Sequence, residues 1–258
     1  MASAEEGAES NLNIPSCVLI TGANSGMGFD CARQLALIDG VKKIYLACRS
    51  REKSEAAKKQ LEDLTNESKF EVLAMDVSNL ESVRDGVEQL KDEPFIDGVV
   101  LNAGGAGGNV PSELTPAGVT ISMAANLLGH VLLVDELICA GKIAGEAATV
   151  IYAGSESARG IPAMGLKPPK LESGSVEEFT SICTGSFFTE DEAKDPKYMG
   201  GHAKFVGALW ISSMARKHPE IRFITISPGI SLLVYYRTYS FLSCLVFYVM
   251  FITKNYIE

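Results

Sequence analysis

Apolar and polar positions alternate in blocks between residues 16 and 227. Short apolar runs typical of buried strands recur at 16–20, 43–48, 70–75, 97–101, 148–153 and 221–226. Between them, apolar residues recur at helical spacing near 25–39, 51–65, 79–91, 116–141 and 201–217. Strands that alternate with helices pair in parallel, because each helix carries the chain back to the same end of the sheet. The pattern therefore predicts one α/β domain with a doubly wound parallel sheet, over residues 14–230.

Two regions break this rhythm. Residues 158–197 form a long connection with several prolines and acids, and a loop of that length is usually functional. Residues 231–258 form an apolar tail, in which 232–252 carry one charge, Arg237. Because a transmembrane helix needs about 20 mostly apolar residues, a membrane anchor is one interpretation of this tail. A buried pair of strands and an abnormal terminus are the two others.

Composition limits the function and the location. A net charge of −9 argues against a nucleic-acid partner, because phosphate contacts need basic patches. The six cysteines form no CxxC pair and suggest no metal site, so we interpret them as buried free thiols. Free thiols fit a reducing, cytoplasmic location. Residues 1–13 are acidic, lack the features of a signal peptide and are interpreted as a loose tail.

A glycine-rich turn joins the first predicted strand to the first predicted helix. Glycine adopts tight or left-handed backbone angles, and the free N–H groups of a helix start attract phosphate. The turn is therefore a candidate pyrophosphate site, and an ordinary strand-to-helix turn is the alternative. Its candidate residues follow Thr21 directly and are Gly22, Asn24, Ser25, Gly26, Met27 and Gly28.

The end of the second predicted strand distinguishes between two cofactors. In a dinucleotide fold this position meets the adenosine ribose, where an acid favours NAD and an arginine accommodates the 2′-phosphate of NADP. Here the strand is followed by Arg49 and Ser50, with no acid. The guanidinium matches a phosphate in charge and in geometry, so these residues favour NADPH over NADH. A solvated arginine is the alternative.

Two further strand ends carry candidate ligands. The third strand is followed by Asp76-Val77, and the fourth by Asn102-Ala103-Gly104. Both segments are expected at the carboxyl edge of the sheet, where open α/β folds bind their ligands. Each also has a simpler interpretation, because Asp76 could cap the next helix and Asn102 could form a turn.

With these three motifs the chain resembles the short-chain dehydrogenase/reductase family, over residues 15 to about 229. The sequence Ala47-Cys48-Arg49-Ser50 is similar to the branch of retinol dehydrogenases and protochlorophyllide reductases, which implies NADPH. The resemblance also assigns cofactor contacts: the adenine to Asp76 and Val77, the adenosine ribose region to Asn102, Ala103 and Gly104, and the nicotinamide to Pro228 and Gly229.

The same resemblance implies hydride transfer between nicotinamide and a small carbonyl or alcohol substrate. It assigns the water-holding asparagine to Asn126 and the substrate-binding serine to Ser155, with Ser157 as second choice. Lys204 matches the lysine that holds the nicotinamide ribose and lowers the pKa of a tyrosine four residues earlier. A phenol titrates near pH ~10, so a nearby cation is needed to make it useful at neutral pH.

The tyrosine is where this chain departs from the family. Gly200 stands four residues before Lys204, and Tyr198 stands six before it. On a regular helix an offset of six places two side chains about 120° apart. Tyr198 is the candidate proton donor if it precedes the helix, and His202 is an alternative. Otherwise the chain is a weak catalyst or a non-catalytic NADP(H)-binding protein.

The resemblance bears on the two irregular regions as well. It makes 158–197 a lid over the substrate, with Met164, Phe187 and Phe188 as candidate contacts, and a surface excursion is the alternative. It also implies a last helix and a last strand, for which the residues after Gly229 offer little room, so we predict that the last strand is lacking. The family suggests a homo-oligomer.

Overall fold

The computed structural model describes residues 14–93, 95–105, 112–143, 145 and 148–228, and these contain one parallel sheet in the order β3-β2-β1-β4-β5-β6. The predicted doubly wound sheet is confirmed. All pairings are parallel and in register from one strand to the next. The strands are β1 (Cys17–Thr21), β2 (Lys43–Cys48), β3 (Phe70–Ala74), β4 (Gly98–Leu101), β5 (Thr149–Ala153) and β6 (Arg222–Ile226).

Helices connect the strands at or close to the predicted places. They are α1 (Gly26–Ala36), α2 (Arg51–Thr65), α3 (Leu80–Glu88), α4 (Ile121–Met123), α5 (Gly129–Cys139), α6 (Val176–Thr184), α7 (Glu190–Lys194) and α8 (Pro196–Lys217). A π-helical turn, Ala124–Leu128, joins α4 to α5, and 3₁₀ turns occupy Glu156–Arg159 and Pro162–Met164. A π-turn inside a helix often marks a functional site.

The core lies on both faces of the sheet, because successive side chains of a strand point to opposite faces. On one face Leu19 and Leu101 pack with Leu133 of α5. On the other face Ile20 packs with Leu35 of α1. The strand order reverses between β1 and β4, so the crevice expected of such a reversal opens above their carboxyl ends.

The long connection at 158–197 is folded, which the sequence analysis did not predict. It contains α6 and α7, and a third apolar cluster joins Ile182 and Phe188 to Met123 and Met199. Of the three predicted substrate contacts in this segment, Phe188 is buried in that cluster, Phe187 is 36% exposed and Met164 is 54% exposed.

The cysteines of the described part, all except Cys244, are free thiols. Cys17, Cys31 and Cys48 are buried as interpreted, whereas Cys183 is partly exposed and Cys139 is exposed. Burial raises the pKa of Cys17 to about 11 and that of Cys31 to about 12, which makes both thiols unreactive. The predicted tails, 1–13 and 231–258, lie outside the described residues, and so do Gly229 and the question of a last strand. Among the described helices, Ile121–Cys139 is long and apolar enough to span a membrane, but more than half of it is buried inside the fold.

Candidate functional site

The glycine-rich turn lies at the reversal of strand order, between β1 and α1. Gly22 and Gly26 have φ angles of +68° and +59°, in the left-handed region that favours glycine. A Cβ at Gly28 would lie 2.6 Å from the carbonyl oxygen of Gly22, so a side chain does not fit between helix and turn. Ser25 begins α1, with its side chain making no capping bond to the helix. The first N–H groups of this helix therefore have no side-chain cap from Ser25, and a Cβ at Gly26 would meet no atom within 4 Å, which fits a turn that binds a phosphate.

Hydrogen bonds from β4 hold this turn in place. The Thr21 Oγ1 atom accepts hydrogen bonds from the N–H groups of Asn102 and Ala103, both at 2.9 Å. The Asn102 Nδ2 atom donates to the Thr21 carbonyl at 2.9 Å. The Asn102 side chain is thus directed at the turn, so its contribution to a cofactor site is to fix the turn against β4.

Two candidate cofactor residues, Ser50 and Arg49, lie just after β2. Ser50 caps α2, where its Oγ atom accepts a hydrogen bond from the N–H of Lys53 at 3.3 Å. Arg49 is exposed and makes no hydrogen bond or ion pair with the part of the chain that the structure describes. Its guanidinium is therefore available to a ligand beside the glycine-rich turn.

The end of β3 is shaped by a local turn. The Asp76 Oδ1 atom accepts hydrogen bonds from the N–H of Ser78 at 2.9 Å and from its hydroxyl at 2.6 Å. Val77 is buried, and its carbonyl lies against the Cα of Gly129 at the start of α5, where a Cβ would collide with it. The alternative that Asp76 caps the next helix is wrong, because the side chain of Asn79 caps α3 and accepts from the N–H groups of Glu81 and Ser82.

Asn126 lies in the π-turn and binds the loop after β4. Its Oδ1 atom accepts from the N–H of Gly105 at 3.0 Å, and its Nδ2 atom donates to the carbonyls of Gly105 and Ser122, each at 2.9 Å. Gly104 has a φ of +147°, and a Cβ there would lie 2.6 Å from Asn126 Oδ1. A side chain at position 104 would therefore collide with Asn126, so the loop after β4 requires a glycine there.

Lys204 reaches from α8 to the end of β5. Its Nζ atom donates to the Ala153 carbonyl at 2.7 Å and lies 4.8 Å from the centre of the Tyr152 ring. Burial lowers the pKa of Lys204 to about 8, because water no longer stabilises the ammonium. Burial, with a smaller contribution from Lys204, lowers the pKa of His130 to about 3, so that this histidine is neutral.

The two candidate serines contact each other just beyond β5. The Ser155 Oγ atom accepts hydrogen bonds from the Ser157 N–H at 3.2 Å and from its hydroxyl at 2.9 Å. Ser155 lies two residues after Ala153, the residue that binds Lys204. Both hydroxyls therefore lie at the same sheet edge as the ammonium. Pro228 follows β6 at this edge, and Gly229 is outside the described residues.

Tyr198 is not where a proton donor needs it. α8 begins at Pro196, capped by the Asp195 side chain, and runs through Lys217 without interruption. The expectation that Tyr198 precedes the helix is therefore wrong. Within a regular helix Tyr198 lies about 120° from Lys204 around the axis, so the two side chains do not share a face.

Gly200 is on the face that Lys204 uses. A Cβ at Gly200 would meet no atom within 4 Å. Gly207 lies about 20° from Gly200 around the axis of α8, and it packs directly against the Tyr152 ring of β5. His202 is directed elsewhere, because its Nδ1 atom is 2.9 Å from the Tyr198 carbonyl and its ring packs against Phe188 at 5.0 Å.

One buried network was missed by the sequence analysis. The Nε2 atom of His130 is 3.1 Å from Thr21 Oγ1, the atom that accepts hydrogen bonds from Asn102 and Ala103. The Tyr152 hydroxyl donates to the Asn126 carbonyl at 2.7 Å, from the middle of β5. The signal for both was a polar group on an otherwise apolar stretch, at Tyr152 in a strand and at His130 in a helix. This network connects the turn to the π-turn through the core.

The fold and the turn define a nucleotide-binding protein of the Rossmann type, and comparison with known proteins defines the family. The family model described as short chain dehydrogenase matches residues 16–165. The chain belongs to the short-chain dehydrogenase family, which confirms the predicted family.

Individual relatives agree with the predicted branch. The chain is 34% identical to mouse retinol dehydrogenase 13 over 122 residues, 47% of this chain and 35% of that protein. It is 32% identical to mouse retinol dehydrogenase 11 over 131 residues, 50% of this chain and 40% of that protein. The matches thus span well under half the length of these curated relatives.

A solved structure agrees in fold. A short-chain dehydrogenase from Shigella flexneri complexed with NADP superimposes with a TM-score of 0.57 at 19% identity, covering 86% of this chain and 80% of that one. This likeness, at low identity, concerns the fold alone.

Proposed function

We propose that this chain is an NADPH-dependent oxidoreductase that transfers a hydride between nicotinamide and a small carbonyl or alcohol substrate. The observation that carries the proposal is the glycine-rich turn, whose glycines at 22 and 28 leave no room for side chains and whose position is fixed by the Thr21–Asn102 bonds. Such a turn, at the reversal of strand order, is how this fold binds a pyrophosphate.

The proposed cofactor contacts follow the edge of the sheet. The turn residues Gly22 to Gly28 bind the pyrophosphate, and Arg49 and Ser50 bind the 2′-phosphate region. Asp76 and Val77 border the adenine, while Ala103 and Gly104 border the adenosine ribose. Lys204 holds the nicotinamide ribose, with Pro228 and Gly229 beside the nicotinamide. The bound cofactor supplies or accepts the hydride.

The proposed substrate contact is the Ser155 hydroxyl, oriented by Ser157. Bound to a carbonyl oxygen, it would stabilise the negative charge that develops there during reduction. Since the curated relatives are named retinol dehydrogenases, an apolar aldehyde or alcohol is the first substrate class to test. Phe187, partly exposed on the folded connection, is the proposed apolar contact.

A second candidate function is NADP(H) binding with weak or no catalysis. The observation that favours it is the absence of a side chain at Gly200, four residues before Lys204. Location and assembly are proposals too: a cytoplasmic protein that forms a homo-oligomer, or one that associates with membranes through 232–252.

Equilibrium binding separates these functions. Titration of the purified full chain with NADPH and NADH, followed by fluorescence, is expected to show tighter binding of NADPH. Turnover is then measured as loss of NADPH absorbance with a panel of apolar aldehydes. Equal affinity for both cofactors would contradict the proposed NADPH preference, and NADPH binding without turnover would favour the second candidate.

A further inference from the structure

We propose that Lys204 is the proton source of this site and that water in the space beside Gly200 carries the proton to the substrate. This inference rests on the proposed function and deepens it. Its basis is geometric: one turn before Lys204, the same face of α8 carries Gly200, where a Cβ would meet open space.

In the part of the chain that the structure describes, two phenols and one imidazole near the site are placed away from the space beside Gly200. Tyr198 lies about 160° from Gly200 around the axis of α8. Tyr152 is fully buried, its hydroxyl donates to the Asn126 carbonyl, and burial raises its pKa. His202 packs between aromatic rings of the connection. None of these groups is directed at the space beside Gly200.

The position of α8 locates this space. One residue along the helix, a Cβ at Gly201 would lie 3.2 Å from the carbonyl oxygen of Ser157. This turn of α8 therefore packs on the segment that carries Ser155 and Ser157. A water molecule is stable where two to four polar groups surround it. The Ser157 carbonyl lies against this turn of α8, and Lys204 lies one helical turn after Gly200.

Lys204 has protons to give. An ammonium has three N–H groups, and one of them is bound to the Ala153 carbonyl. No described carboxylate forms an ion pair with Lys204. Near it, His130 and Tyr152 are neutral, Glu156 pairs with Arg159, and Glu190 of α7 pairs with Lys194. Burial without a counter-charge leaves the pKa of Lys204 at about 8, so the ammonium releases its proton near neutral pH.

In the direction of reduction, a bound reduced nicotinamide would supply a hydride to the carbonyl carbon, and the π pair of the carbonyl would move to its oxygen. That oxygen takes a proton from the water molecule, which takes one from the ammonium of Lys204. The lysine is left as a neutral amine and regains its proton from solvent before the next turnover. Oxidation of an alcohol is the reverse.

Two substitutions of equal size at Gly200 test the idea. In Gly200→Phe a ring without a hydroxyl occupies the space and excludes the water, so turnover is expected to fall at least tenfold. In Gly200→Tyr the ring brings its own phenol within reach of Lys204, so turnover is expected to equal or exceed that of the parent. Binding of NADPH, measured separately, confirms that both variants fold and hold the cofactor.

The pH profile and an NMR titration test the proton source itself. Because the ammonium is the donor, the parent rate of reduction is expected to fall about tenfold per pH unit above the Lys204 pKa of about 8. With ¹³C-labelled lysine in the full chain, the resonance that Lys204→Met removes is expected to titrate near the same pH, with or without substrate.

Several results would overturn the proposal. They are a Lys204 resonance that titrates above pH 10, full turnover in Gly200→Phe, a tenfold loss in Tyr198→Phe, and a parent that binds NADPH without any turnover. Absence of NADPH binding in the parent would instead defeat the proposed function, and this inference with it.

Discussion

Two glycines, Gly28 and Gly200, show how differently the two halves of the site are determined. At Gly28, in the first turn of α1, a Cβ would lie 2.5 Å from the side-chain Nδ2 atom of Asn102. At Gly200, on the helix that carries Lys204, a Cβ would meet nothing within 4 Å. The first glycine is required by its surroundings, and the second is a position where a side chain would fit.

This difference implies that cofactor binding and proton transfer are constrained separately. The turn is fixed by a buried hydroxyl, two backbone N–H groups and close packing, so any change there disturbs the fold. The face of α8 next to Lys204 carries no such constraint, so a side chain can be gained or lost without moving the backbone.

The largest effect is expected from Gly28→Ala. The added methyl group forces α1 away from the turn, and overpacking of this kind costs about 1–3 kcal/mol in the free energy of unfolding. We also expect at least a hundredfold loss of NADPH affinity, because the N–H groups that face the phosphate move. Denaturant unfolding and calorimetric titration measure the two effects, and unchanged binding would show that the turn does not hold the cofactor.

Thr21→Val tests the bonds that fix the turn to β4. Valine keeps the shape and leaves the N–H groups of Asn102 and Ala103 without their acceptor, which is expected to lower the free energy of unfolding by about 1–3 kcal/mol. Thr21→Ser is the matched control, since it keeps the hydroxyl. Equal losses in both variants would mean that packing of the methyl group, not the hydrogen bonds, matters at this position.

Arg49→Ala tests the choice of cofactor. Loss of hydrogen bonds to a phosphate, worth about 1.5–3 kcal/mol, is expected to weaken NADPH about 10- to 100-fold and to leave NADH almost unchanged. The control is Arg51→Ala. Arg51 is also exposed, and its Nε atom lies 3.8 Å from Glu55 Oε1 on α2. Comparable losses for both variants would point to general charge attraction rather than a specific contact.

The sequence predicted the sheet well because each buried strand is a separate apolar run, and the order of strands and helices then limits the topology. The start of α8 was predicted at 201 and lies at Pro196. The signal was present in Asp195-Pro196, a capping residue followed by a proline suited to the first helical position. Because α8 starts five residues earlier than predicted, Tyr198 lies inside the helix, and its side chain does not share a face with Lys204.

Local sequence rules could have predicted the starts of α6 and α7, but not the hydrogen bonds between Thr21 and Asn102. Ser175 and Thr189 each precede a glutamate by three residues, the signature of a helix start, and they begin α6 and α7. The Thr21–Asn102 bonds join residues 81 positions apart, and only the folded sheet brings them together. Long-range polar contacts of this kind leave no periodic trace in a sequence.

The smallest effect, and the one that separates the two kinds of glycine most directly, is expected from Gly200→Ala. Alanine stabilises a helix interior by about 1 kcal/mol relative to glycine, and this methyl group has room, so the melting temperature is expected to rise by about 2–4 °C. Gly207→Ala is the matched control on the same helix, because its methyl group would collide with the Tyr152 ring and lower the melting temperature. A rise in both variants would mean that helix propensity alone decides the outcome. A fall in both would mean that the space beside Gly200 is not open in solution.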